Sequence, residues 1–234
     1  PKYLLTILLC GLLGGVLGFF TGVAGAAGVA ETVRQALDRA LEAAVPWGIV
    51  ISAVILLGAG WYLYAAAKRR CDAWDGEDED TMDAVEQQLG WALLLTGLMI
   101  VLDFFFFAAS IVYGRFLPDL VLFLASVVVL IVLQQKVVDL ERRLNPEKRG
   151  SVYDTKFQKK WMDSCDEAER AQIGQASYQA FRVTTGACLG LWVVFTVLNF
   201  SFDIGLLPSL AVLVVFGVLQ ITYCLTCIRL TRSK

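Results

Sequence analysis

Seventeen of the twenty Lys and Arg residues lie in four stretches that flank or separate long apolar runs: the start of the chain, Lys68–Arg70, Lys136–Arg182 and the tail from Arg229. The other three, Arg34, Arg39 and Arg115, sit in the connectors that alternate with them. Cells retain positive charge on the cytoplasmic side of a membrane, so this alternation is the pattern of a multi-pass membrane protein. It predicts an all-α integral membrane protein of the cell membrane, with both termini in the cytoplasm.

A membrane helix needs ~20 apolar residues, and six stretches supply them: Tyr3 to about Ala30, Pro46–Ala67, Leu89–Tyr113, Leu117–Val138, Val183 to about Phe202, and Leu206–Ile228. Residues 1–234 therefore read as a single six-span membrane domain. Residues 139–182 read as a helical cytoplasmic segment between spans four and five. Trp47, Trp61, Tyr62, Trp91 and Tyr113 fall near the predicted interfaces, where amphipathic rings prefer to sit. The first run has a rival reading, because Gly28-Val29-Ala30 before Glu31 resembles a signal-peptide cleavage site. An apolar run of this length is too long for a signal-peptide core, so a membrane span is preferred.

Two connectors have a character of their own. Glu31–Val45 carries Ala36, Leu37, Ala40, Leu41 and Ala44 at helical spacing, with Arg34, Asp38, Arg39 and Glu42 between them. It either lies on the outer surface or extends the first helix into water. The second is favoured, since the apolar face is mostly Ala. Asp72–Glu86 holds eight acidic residues and reads as a solvated loop. Asp75, Glu77, Glu79 and Glu86 mimic calcium-loop spacing, but Asp80 stands where the turn requires Gly, so no metal site is expected.

Chemistry is constrained mostly by what is missing. The chain has no His, which removes Ser-His and Cys-His nucleophile pairs and His metal ligands. We therefore expect no enzymatic activity and no cofactor. Cys224 and Cys227 match C-x-x-C at the inner end of a membrane helix, where small packing residues are the simpler reading than a redox pair. A formal net charge of −2 implies no direct nucleic-acid partner. The lipid bilayer is the expected partner, with a cytosolic protein and self-association as further candidates.

Three sets of residues stand out. Gly11, Gly15, Gly18, Gly22 and Gly25 are spaced 4-3-4-3 on one face of the first span, a stripe that suits close helix packing; a glycine-lined substrate path is the sharper alternative. Asp103 is the one carboxylate well inside a span, with no Lys or Arg at that depth. Such a group is costly unless it is neutral and hydrogen-bonded. Val101–Phe106 resembles Val197–Phe202, and each is followed by Leu-Pro (Leu117-Pro118, Leu207-Pro208) and Val-Leu-Gln, as in a parallel repeat. That makes Asn199 the expected partner of Asp103, either as interhelical glue or as part of a proton or ion path. Chance recurrence of Leu and Val is the rival to the repeat. Asp203, Asp119 and Arg115 read as a wet interfacial cluster.

In the 139–182 segment, Asn145-Pro146 should end the fourth helix. Tyr153–Trp161 then interleaves aromatic and basic residues, a pattern that docks on anionic headgroups or on a protein. Ser164 with Glu167 fits a capping box opening a helix that continues through Tyr178 and Phe181 into the fifth span. Lys159, Lys160, Trp161, Asp166 and Glu167 are the candidate contact residues. Asn145–Gly150, Lys156–Trp161 and Ser164–Glu169, together with the glycine-rich first span, resemble the DUF3169 family. That resemblance implies a multi-pass membrane protein of unknown function, mainly of Firmicutes, and carries over no catalytic residue. The expectation is a non-enzymatic membrane sensor, regulatory or accessory protein acting through the cytoplasmic segment. The alternatives are a small transporter or peptide-resistance protein using Asp103 and Asn199, and, less favoured, an intramembrane enzyme.

Overall fold

The computed structural model describes residues 11–12, 14–16, 18–19, 22–23, 28–74 and 78–232, and every regular element among them is a helix. In chain order these are α1 (Val29–Ser52), a π-helical turn (Ala53–Leu57), α2 (Gly58–Ala73), α3 (Glu79–Val112), α4 (Phe116–Leu144), the short α5 (Phe157–Asp163), α6 (Glu167–Phe202) and α7 (Leu207–Arg232). Five helical stretches are long and apolar enough to cross a membrane: Glu31–Ala73, Asp80–Val112, Phe116–Leu144, Glu167–Asn199 and Leu207–Thr231. This is a membrane protein. Most of the first predicted span lies outside the described residues; those described between 11 and 23 are helical.

The chain divides into two compact units, one of residues 38–170 and one of residues 1–37 with 171–234. In the first, α1–α2, α3 and α4 form an antiparallel three-helix bundle, and its buried positions follow a heptad rhythm. On α3 they are Val85, Leu89, Ala92, Thr96, Met99, Asp103 and Ser110; on α4, Asp119, Ser126, Leu130, Leu133, Val137, Leu140 and Leu144. Steps of three and four keep one stripe of each helix on the seam. The rod α1–α2 follows the same rule with one interruption. Val45, Ile49 and Ser52 are buried, then Leu57, Gly60 and Ala67. The step from 52 to 57 is one residue too long for the stripe. The π turn at Ala53–Leu57 absorbs that residue, so both halves of the rod face the seam.

Two glycines let the rod approach its neighbours. A Cβ on Gly48 would lie 2.2 Å from the Phe106 ring, and one on Gly60 would lie 3.1 Å from Leu133. The segment Glu31–Val45 is helical, but it extends the second span rather than the first. Gly28, at φ 73°, breaks the backbone before it, whereas α1 continues through Pro46. Pro46 only leaves the Glu42 carbonyl without its helical donor, on an exposed stretch.

Helix ends show why the acidic and Pro-containing stretches sit where they do. Asp78 caps α3, its Oδ1 accepting from the Asp80 N–H at 3.2 Å and its Oδ2 from the Thr81 hydroxyl. Acidic residues there also suit the positive end of the helix dipole. Asp75 and Glu77 lie outside the described residues. At its far end α4 stops as expected before Pro146, with the Asn145 N–H bonded to the Glu141 carbonyl at 2.9 Å.

The second unit contributes α7 and most of α6. Asp203 (φ 50°) and Gly205 (φ 77°) make the reversal between them, and Leu207-Pro208 forms the first turn of α7, a position that tolerates the missing Pro N–H. Phe181 and Tyr223 stack at 4.6 Å within this unit.

Candidate functional site

Asp103 is fully buried and lies ten residues from Tyr113 and twelve from Trp91, or ~15 and ~18 Å along α3. That places it near the middle of a ~30 Å hydrocarbon layer. The Ser52 hydroxyl donates to its Oδ1 at 2.9 Å, and the Ser126 hydroxyl lies 2.5 Å from Oδ2. Each serine is also within reach of a carbonyl of its own helix, Ile49 at 3.0 Å and Phe123 at 2.8 Å. One carboxyl thus joins all three helices of the bundle. About two helical turns away, Gln134 donates to the Thr96 hydroxyl at 3.2 Å.

Both carboxyl oxygens are thus engaged by serines of the same unit; Asn199, the expected partner, belongs to the other unit, and its buried Oδ1 has no hydrogen-bond partner among the described residues. A signal for the two serines existed. Ser52 is the single Ser or Thr in Pro46–Ala67, and Ser126 the single one in Leu117–Val138. Thr96, Asp103 and Ser110, seven residues apart, mark the buried stripe of α3. Ser52 also borders an apolar groove of about 590 Å³ alongside Trp47, Gly48 and Phe106.

Asp119 departs from the expected wet cluster. It is 1% exposed, with Oδ2 3.7 Å from Arg115 Nε. The cause is register: Asp119 stands seven residues before Ser126, on the seam, and Arg115 one turn away. Asp203 is exposed and lies in the other unit. Of the glycine stripe, Gly25 lies outside the described residues and Gly11, Gly15, Gly18 and Gly22 are helical. A Cβ added at Gly11, Gly15 or Gly22 would meet no atom within 4 Å, so those glycines are not required by a close helix contact among the described residues.

The second polar centre lies at the far end of the same bundle, where residues 145–170 fold back on it. Lys148 is 4% exposed and pairs with Glu169. Its Nζ lies 3.7 Å from Cys165 Sγ and 5.9 Å from the centre of the Trp161 ring. Burial pushes the ammonium down, but the hydrogen bond and charge of Glu169 outweigh it and hold Lys148 above the ordinary lysine range. Asn145 donates to Glu86 at 3.1 Å and to Glu141 at 3.0 Å, and Arg143 pairs with Asp72 at 3.3 Å. The Gln135 Oε1 accepts from the Ser151 hydroxyl and the Val152 N–H, both at 2.8 Å.

The contact candidates of this segment divide by role. Lys159 and Glu167 are exposed. Lys160 pairs with Asp154, and that contact, with the Lys156 N–H, holds the Asp154 carboxyl below its ordinary range. Trp161 packs beside Phe157 at 5.6 Å and covers Lys148. Asp166 is a cap: its Oδ1 accepts from the Glu169 N–H at 2.8 Å while Glu169 accepts from the Asp166 N–H at 3.0 Å. The capping box is therefore Asp166–Glu169, two residues beyond the expected Ser164–Glu167. Ser164 is already engaged, donating to the Trp161 carbonyl at 2.7 Å and accepting from the Arg149 N–H at 3.1 Å. The helix it opens runs to Phe202, into the fifth predicted span as expected.

No curated protein and no solved structure matches this chain. One family model does, over residues 1–226 of 234, and its description is "Protein of unknown function (DUF3169)". A match over nearly the whole length includes both polar centres, so the chain belongs to the DUF3169 family.

Proposed function

We propose that this protein is a non-enzymatic membrane sensor or regulatory accessory protein, oriented with the basic stretches and both termini in the cytoplasm, that acts through residues 139–182. The observation that carries this reading is the latch. Residues 145–170 are closed on themselves by the buried Lys148–Glu169 pair and are held to the inner end of the membrane bundle by Gln135, which accepts from Ser151 and Val152, and by Asn145, which donates to Glu86. A change in bundle packing would therefore reach the exposed surface of the segment directly. Separate polar contacts at Ser126, Gln134, Gln135 and Asn145 tie α4 to α3 and to the segment at successive levels, so α4 is the helix through which such a change would pass. Lys159 offers an exposed position from which a cytosolic partner can be reached.

The transporter reading, with Asp103 and Asn199 on a path, has less support. Asp103 is sealed from solvent, and both its oxygens are occupied by serines of its own unit. Without His, and with no cluster of three potential metal ligands among the described residues, an intramembrane enzyme has the least support.

The test is photo-cross-linking from position 159 of the full-length protein in its native membrane, compared with the Gln135→Ala variant, which removes the contact to Ser151 and Val152. A single cytosolic protein captured from position 159 and lost when the latch is opened is the expected result. Absence of a specific adduct, or an adduct indifferent to Gln135→Ala, would overturn the reading.

A further inference from the structure

The latch region encloses a cleft of about 780 Å³ between the end of α4, the 147–154 loop and α5. Its walls are fixed. Ser164 holds the Arg149 N–H, Gln135 holds Ser151 and Val152, and Asp154 pairs with Lys160. Gly150, at φ 132°, turns the loop where a Cβ would come within 2.8 Å of the Phe157 ring. Four charged side chains lining the cleft make no ion pair or side-chain hydrogen bond among the described residues: Arg142 and Arg149 on one sign, Glu147 and Asp163 on the other. A preformed frame with unpaired charges of both signs is the arrangement of a recognition site.

The sign balance selects the ligand. A simple anion would gain two guanidinium contacts but meet two carboxylates. A zwitterion bearing a phosphate and an amine would satisfy all four, with the phosphate suited to the arginines and the amine to the carboxylates. Depth selects its source. Gln135, which pins Ser151 and Val152, adjoins Lys136, whose Nζ lies 6.0 Å from the centre of the Trp61 ring. Aromatic and basic residues of this kind mark the edge of the hydrocarbon layer. Arg142 stands six residues further along α4, ~9 Å by helical rise, within reach of a headgroup layer for so long a side chain.

From this geometry we infer that the cleft binds the headgroup of a zwitterionic phospholipid carrying a phosphate and a primary amine, drawn from the adjacent leaflet. The proposal is independent of the sensor reading, since the cleft can hold a lipid whether or not a cytosolic partner exists.

The experiment uses the purified full-length protein and native mass spectrometry. The protein is equilibrated with mixed micelles of phosphatidylethanolamine, phosphatidylglycerol and phosphatidylcholine at equal mole fraction. Phosphatidylethanolamine should be retained over both others by about tenfold, the worth of ~1.4 kcal/mol. Arg149→Gln and Asp163→Asn, each at an exposed side chain outside the bundle core, should each abolish that preference while leaving the thermal melt unchanged. Soluble glycerophosphoethanolamine should displace the retained lipid. Equal retention of the three lipids, a preference for phosphatidylglycerol, or a preference untouched by either substitution would overturn the proposal. So would failure of the soluble headgroup to compete. If glycerophosphoethanolamine binds and phosphatidylethanolamine cannot displace it, the ligand is a cytosolic zwitterion and the lipid assignment fails.

Discussion

The two ends of the 38–170 bundle use the same three helices and the same heptad seam, yet they are filled with different chemistry. Toward the Asp103 end the seam holds Ser52, Asp103, Ser110, Asp119 and Ser126, and Gly48 makes room for Phe106. The outer faces there are bare apolar side chains, such as Val101 and Phe104. Toward the Lys148 end the seam holds Val85, Leu89, Val137, Leu140 and Leu144. Lipid tails offer helices no hydrophobic reason to associate, so close approach and hydrogen bonds must suffice at membrane depth. Water does offer one, and apolar burial becomes the main stabilising term where the helices emerge. The solvent around each half has in effect chosen the residues inside it.

The largest effect that would test this contrast is expected at the apolar end. Leu140 is 2% exposed among Leu89, Val137 and Leu144. Leu140→Ala should cost ~2–5 kcal/mol, the usual range for a buried Leu in a close-packed core. Denaturant unfolding in micelles, followed by helical circular dichroism, measures it. A loss under ~1 kcal/mol would mean that this end is not a conventional core.

Next in size is a glycine comparison. Gly48→Ala forces a methyl group against the Phe106 ring and should cost ~1–3 kcal/mol by overpacking. Gly15→Ala meets open space and should stay within ~0.5 kcal/mol, as surface changes do. The same melt on both variants is decisive. Equal sensitivity would show that the first-span stripe has a close neighbour after all.

This pair also shows how far the sequence could be read. Helix number and order in the described part were legible, because long apolar runs between charged stretches admit little else. So was the end of α4 at Asn145-Pro146. The close approach at Gly48 was not, since the ring that fills it comes from another helix. The likeness between two hairpins points from Asp103 to Asn199, not to the serines. Ser52 and Ser126 reach Asp103 only because the π turn at Ala53–Leu57 keeps both halves of the rod on the seam, and nothing in Ala-Val-Ile-Leu-Leu announces that turn. The patterns Ser164-x-x-Glu167 and Asp166-x-x-Glu169 overlap, which is why the observed capping box lies two residues beyond the expected one. Only the fold, which engages Ser164 with Arg149, decides between them.

A smaller effect is expected from the polar seam. Asp103→Asn keeps the shape and a hydrogen bond to each serine, and interhelical hydrogen bonds in membranes average only ~0.6 kcal/mol. Asp103→Leu removes both contacts and should cost more, up to ~1.7 kcal/mol per lost bond. If Asn proved as damaging as Leu in the same unfolding assay, the carboxyl itself would be needed, and the transporter reading would regain ground.

The smallest effect belongs to the surface of the latch and is read against pH. Lys160 and the Lys156 N–H hold the Asp154 carboxyl below the ordinary aspartate range. A group whose folded value is depressed adds stability that is fully present above its unfolded value and is lost as pH falls through the folded one. Asp154 therefore contributes nothing to the pH dependence near neutrality, and its share fades only on the acid side of the ordinary carboxylate range. Because the pair is open to solvent, added salt should shrink that share further. The measurement is the acid limb of the melting temperature for wild type and Asp154→Asn. The two curves should be separated at neutral pH and converge on acidification, with wild type the higher. Curves that stay parallel to the lowest pH would mean that the Asp154–Lys160 contact does not hold the cleft wall, and the fixed frame at this end of the bundle would rest on Gln135 and Ser164 alone.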